Sequence, residues 1–315
     1  MIDEKVRIAT MTGFVMPVPT RDEVRRGIVY VVASIFVFAL TNALIKWLVV
    51  RYSVIEVIVF RSSFALFPCV YLIATRGGIL ALRTKRLHQH VTRSVLQFVS
   101  MICIFTAFGL MPLADATAIT FASPLFLTML SIPLLGEQVG IYRWSAVIVG
   151  FAGVLIMVQP GPGLLHSGAL FPLANALINA CVTIAIRRMT LTESSTTLVF
   201  YQTLVTGLIG LALLPFFWVT PDLVDLALFS ATGLLSGIAQ FWWMQGCRYV
   251  PAAVAAPFSY TSMIWSLALG YLVWSDVPSA AVLAGAAIVI ASGLYILYRE
   301  TVRRVPKPPL PAGGP

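Results

Sequence analysis

Apolar residues run along this chain in blocks of about twenty, separated by short polar stretches. A helix of ~20 residues crosses a hydrocarbon core of about 30 Å with every backbone N–H and C=O bonded inside itself. The blocks predict ten spans: 27–50, 54–74, 89–111, 113–135, 142–159, 168–188, 197–217, 224–247, 251–274 and 280–299. The links between them are short, so consecutive spans are expected to lie mostly side by side. The fold class is all-α integral membrane.

The second half of the chain repeats the first at a shift of about 140 residues. Met111-Pro112-Leu113-Ala114 maps onto Val250-Pro251-Ala252-Ala253, Gly136-Glu137 onto Ser275-Asp276, and Lys46 onto Arg187. Each half holds five spans, and an odd number makes the second copy enter the membrane upside down. The expected organisation is a tail at 1–26, a first repeat at 27–160, an inverted second repeat at 161–300 and a disordered Pro-rich tail at 301–315. Two inverted five-helix repeats can rock about a central site, which is the architecture of alternating access.

Composition agrees with a membrane chain and changes the picture only through charge. Of 315 residues 59% are hydrophobic and 10% charged, and the mean hydropathy is +0.93; a soluble domain needs more charge on its surface. The net charge of +9 raises the question of nucleic acid. The basic residues instead flank apolar blocks, where anionic lipid meets them, so no nucleic acid is expected as a partner. Arg25, Arg26, Arg83, Lys85, Arg93, Arg143, Arg187, Arg188, Arg248 and Arg303 fall on one side when there are ten spans, and Arg51, with Lys46 near it, falls on the other with Asp222, Asp225 and Asp276. By the positive-inside rule both termini are cytoplasmic. Residues 1–26 lack a continuous apolar core and read as a cytosolic tail rather than a signal peptide. The four cysteines have no paired spacing, so neither a disulfide framework nor a metal site is read, and no cofactor is expected.

The run Pro112-Leu113-Ala114-Asp115-Ala116-Thr117-Ala118 leads to Ser123-Pro124-Leu125, then to Leu134-Leu135-Gly136-Glu137, Trp144 and Gly150…Gly153, with Phe60-Arg61-Ser62-Ser63-Phe64 upstream. In this arrangement, over residues 25–300, the chain resembles the drug/metabolite transporter superfamily in its EamA-type branch. Within that branch it is most similar to aromatic amino-acid exporters of the YddG type. It departs from the pattern where Asp276 replaces the usual Glu and where Tyr201 stands opposite Arg61. The resemblance implies a substrate cavity between the halves, lined largely by spans one, three, four, six, eight and nine.

Candidate substrate-binding residues are polar or aromatic positions near mid-span. Arg61 is a costly charge inside the hydrocarbon region, and it either attracts a substrate carboxylate or clamps backbone carbonyls. Asn175 and Asn179 share a face of span six; Phe38 and Asn42 hold related places in span one. Gln97 and Gln240 add amides from spans three and eight. Thr120 and Phe121 in span four correspond to Tyr260 and Trp265 in span nine. Such a set suits a zwitterion with an apolar side chain, and its bland alternative is interhelical hydrogen bonding and packing. Pro124 and Pro257 each remove a helix bond, as a hinge or as a static kink.

The expected function is transport of small metabolites, with export of amino acids bearing aromatic or other apolar side chains. The partners are the small-molecule substrate and the bilayer, the chain can act as a monomer, and the location is a bacterial inner membrane. The alternative is a multidrug or nucleotide-sugar carrier of the same superfamily. No HExxH motif or buried Ser–His pair supports an enzyme. No Asp, Glu or His falls at a predicted membrane centre, which favours facilitated diffusion over proton antiport.

Overall fold

The computed structural model describes residues 21–76, 82, 84, 86–135, 140–159, 168–190, 193–249 and 257–303. The two tails beyond these, Glu137, His166 and the Pro251 end of span nine therefore lie outside the described residues. The chain is all-α. Its helices are α1 (Arg21–Leu48), α2 (Val54–Arg76), α3 (Leu87–Leu110), α4 (Leu113–Thr120), α5 (Ser123–Leu135), α6 (Ile141–Val158), α7 (Leu170–Met189), α8 (Ser195–Leu213), α9 (Leu223–Tyr249), α10 (Thr261–Trp274) and α11 (Ala280–Arg303). Among the described residues nine spans are long and apolar enough to cross a membrane, with α4 and α5 counted as one. The tenth is α10, entered through a helical turn at 257–259.

Helix packing obeys the repeat. Exchanging the halves turns the contact of α1 with α9 into that of α7 with α3, and the contact of α2 with α9 into that of α8 with α3. It likewise turns α1 on α10 into α7 on α4 and α5. Three contacts map onto themselves: α2 with α8, α4 with α10, and α6 with α11. The two copies thus interlock along one pseudo-twofold axis, as two inverted five-helix repeats.

The α6–α11 contact depends on small residues. A Cβ on Gly153 would stand 2.8 Å from the Gly285 carbonyl oxygen, and one on Gly285 would stand 2.5 Å from that of Gly153. Only glycine lets the two backbones approach this closely, which is how packed spans associate where lipid removes most of the hydrophobic drive.

Three features go beyond the sequence expectation. Span four is not one helix. It breaks at Phe121–Ala122, where the bonds shorten to Phe121 N–H on Ala118 O and Ala122 N–H on Ile119 O. The cause is Pro124, which cannot donate to the carbonyl one turn back. Span nine turns at the equivalent point, Tyr260, three residues beyond Pro257.

Arg93 is not a loop residue at the membrane surface. It is 2% exposed, inside α3, and donates to Gln202 Oε1 at 2.8 Å and to the Leu198 carbonyl at 2.5 Å. Lys46 is likewise 8% exposed. It donates to Asp276 at 3.0 Å and to the Met111 carbonyl at 2.9 Å, with its ammonium 5.1 Å from the Trp274 ring centroid.

Candidate functional site

Alternating helix directions sort the charges to two ends of the bundle. One end carries Lys46 with Asp276, and Asp225 accepting from Tyr52 Oη at 2.8 Å and Arg51 at 3.3 Å. That hydrogen bond from Tyr52 to Asp225 raises the phenol above its ordinary pKa. The other end carries Arg188, which donates to the Leu134 carbonyl. There too Glu193 accepts from Thr84 at 2.7 Å and lies 3.8 Å from His90.

Between the ends, α2, α8 and α9 enclose a cavity that Met101 of α3 also touches. Arg61 enters it from α2, about 10 Å along that helix from its first residue at 1.5 Å per residue. Gln202, Thr203 and Thr206 enter from α8, and Ser236 and Gln240 from α9. The cavity then continues to Thr196 and Met244, near the end that holds Arg188 and Glu193.

The Arg61 guanidinium makes no hydrogen bond or ion pair to any described residue, and its Nε is buried without a partner. A clamp on backbone carbonyls, the bland expectation for this residue, is thus not formed among the described residues. A buried guanidinium without a partner among the described residues can take an anion, because its five donors match a carboxylate edge to edge.

The structure brings only part of the expected set together. Arg61 and Gln240 share the cavity. Phe121 and Tyr260 meet edge to face at 5.2 Å, where spans four and nine break. Thr120 returns its hydroxyl to the Thr117 carbonyl at 2.6 Å. Asn175, 8% exposed, is spent on α3, donating to the Ser100 carbonyl at 2.9 Å and to Ser100 Oγ at 2.8 Å. Asn179, one turn on, is exposed. Trp265 packs edge to face on Phe36 at 4.8 Å. Phe38, Asn42 and Gln97 are half-buried on α1 and α3, outside the Arg61 cavity.

Gln202, Thr203 and Thr206 are not among the residues expected from the sequence. A signal was present: Thr196, Thr203 and Thr206, with Gln202, form a polar stripe along an otherwise apolar α8. That helix belongs to span seven, which the family resemblance leaves out of the cavity. The cavity described here lies instead against spans two, seven and eight.

Comparison with known proteins accounts for the bundle. The model of the EamA-like transporter family matches residues 25–159 and 166–298, once in each half. An S-adenosylmethionine uptake transporter of Rickettsia prowazekii is 29% identical over 87% of this chain and 93% of its own length. A riboflavin transporter of Rhizobium johnstonii is 29% identical over 90% of this chain and 94% of its own. The pseudopaline exporter of Pseudomonas aeruginosa is 27% identical over 86% and 95%. These relatives carry S-adenosylmethionine, riboflavin and pseudopaline, and are not the aromatic amino-acid exporters that the sequence pattern pointed to. A crystal structure with 18% identity superposes with a TM-score of 0.60 over 91% of this chain and 99% of that one, and speaks for the fold alone.

Proposed function

The chain belongs to the EamA-like transporter family, and from that premise we propose that it carries small metabolites bearing an amino-acid group, by alternating access between its inverted repeats. That it is a membrane transporter follows from the family. The substrate class rests on one observation: Arg61 faces a cavity in the bundle with no partner for its charge among the described residues. A substrate carboxylate is the group that completes it. One set of relatives agrees, since S-adenosylmethionine contains a methionine carboxylate, whereas riboflavin does not fit this reading.

In this reading the end of the bundle that holds Arg188 and Glu193 is cytoplasmic, by the positive-inside rule, and the membrane is a bacterial inner membrane. Every described Asp and Glu lies within a few residues of a helix end or in a loop. Movement therefore follows the substrate gradient, outward for a metabolite made inside the cell. The relatives include both an uptake carrier and an exporter, which fits a direction set by the gradient.

The test is uptake of labelled L-phenylalanine, L-methionine, S-adenosylmethionine and riboflavin into liposomes holding the pure protein. Saturable uptake of at least one of the three amino-acid compounds, lost in Arg61→Leu, is expected. Uptake of riboflavin alone, or uptake indifferent to Arg61→Leu, overturns the reading.

A further inference from the structure

We infer that Arg93 is a positioning residue: it turns the Gln202 amide so that its N–H groups face the cavity, and Arg61 and Gln202 together select a carboxylate. This rests on the cavity being the substrate site.

A guanidinium donates and never accepts, so the Gln202 atom 2.8 Å from Arg93 is the amide oxygen. Arg93 is held from a second direction by its bond to the Leu198 carbonyl, one turn earlier on α8. With the oxygen taken, the amide nitrogen points elsewhere. It has no acceptor among the described residues, and Gln202 lines the cavity, whereas Arg93 does not. An amide that would otherwise offer both a donor and an acceptor is thereby presented to the cavity as a donor.

A second observation points to a ligand. Thr206 lies one turn beyond Gln202 on the same helix, is 2% exposed and lines the cavity, yet its Oγ1 has no partner. Its neighbour Thr203 behaves in the usual way, returning its hydroxyl to the Val199 carbonyl at 2.9 Å. Arg61, the Gln202 amide nitrogen and the Thr206 hydroxyl are therefore three donors around one space without acceptors among the described residues. No Asp or Glu is among the described lining residues. Two parallel oxygens complete such a set; a carboxamide, which puts N–H where the second oxygen should be, meets donor against donor.

The alternative is that Arg93 only staples α3 to α8. Gln202→Glu separates the two, because its carboxylate keeps the bond to Arg93 while removing the donor and turning an acceptor toward the cavity. The experiment is uptake of labelled L-phenylalanine and L-methionine into liposomes, with phenylalaninamide and methioninamide as competitors. Gln202→Glu is expected to raise the KM for the acid about tenfold or more, the effect of losing one hydrogen bond to a charged group. Arg93→Met frees the amide to rotate, so it is expected to raise KM with little change in kcat and to make the carboxamides better competitors. Arg93→Lys, which keeps a donor to the oxygen, is expected to restore most of the selectivity. If an acid is carried and Gln202→Glu leaves its KM and the competition unchanged, the Arg93 assignment alone falls. Where S-adenosylmethionine is the only one of the three carried, the same variants are read with it; if the unaltered protein carries none of the three, the reading of the cavity falls and takes this inference with it.

Discussion

Phe121 and Tyr260 stand 139 residues apart at the same place in the two repeats, and their rings meet edge to face with centroids 5.2 Å apart. Each sits where its span breaks, so the two interruptions face each other on the pseudo-twofold axis. An edge-to-face pair contributes about 0.5–1.5 kcal/mol beyond its buried area. The larger role we assign it is mechanical, holding together the two places where helices can bend. Phe121→Ala and Tyr260→Ala are each expected to lower transport several-fold while the protein stays folded. The double variant should lose little more than the worse single one, since either change already breaks the pair. Uptake rates and thermal stability in detergent for the four proteins decide this, and losses that multiply would show that the rings act separately.

The ion pair of Lys46 with Asp276 joins the end of α1 to the end of α10 at 3.0 Å. Lys46 is nearly buried and Asp276 about a quarter exposed, so the pair lies between the surface and interior limits. Removing one partner should cost about 1–3 kcal/mol. Lys46→Ala and Asp276→Ala are each expected to lower the Tm in detergent. The exchange Lys46→Asp with Asp276→Lys should regain at least half of the loss, although the new Lys cannot reach the Met111 carbonyl in the same way. A double exchange as unstable as either single change would mean that the pair contributes nothing beyond its separate surroundings.

Gly285→Ala places a methyl group against the Gly153 carbonyl oxygen, and both are backbone positions that cannot swing aside. The α6–α11 contact must open to admit it, at about 1–3 kcal/mol. Gly140→Ala, where a Cβ meets nothing within 4 Å, serves as the control and should leave the Tm nearly unchanged. Equal Tm values for the two variants would remove close backbone approach as the reason for these glycines.

Orientation is tested by single cysteines in a protein otherwise free of them. A cysteine at Glu193 is expected to react only from the cytoplasmic side, and one at the exposed Asp222 only from outside. Labelling from the opposite sides would invert the whole bundle, and labelling of both from one side would contradict the crossing of α8.

Coupling follows from where the carboxylates are. With substrate equal on both sides of a liposome, a pH step of either sign is expected to leave its distribution unchanged. Sustained accumulation abolished by an uncoupler would overturn this. It would point to Asp115, the third residue of α4, whose Oδ1 is buried without a partner among the described residues.

The spans, their number and the inverted repeat could be read in the sequence, because lipid imposes a length and a composition on each helix separately. The break at Pro124 was foreshadowed for the same reason: a missing N–H is a local fact. Arg61 stood out because a charge inside an apolar block is conspicuous by itself. The partners of polar groups were decided only by tertiary structure. Asn175 and Gln202 are both polar residues inside apolar helices, and nothing local tells that Ser100 consumes the first while Arg93 orients the second toward a cavity. Arg93 itself reads as a surface charge, since it follows a basic stretch at a span's start, and only the packing of α8 over it makes it buried. Which side of a helix meets a neighbour, and which meets a void, depends on where other helices lie, and that information is spread across the whole chain.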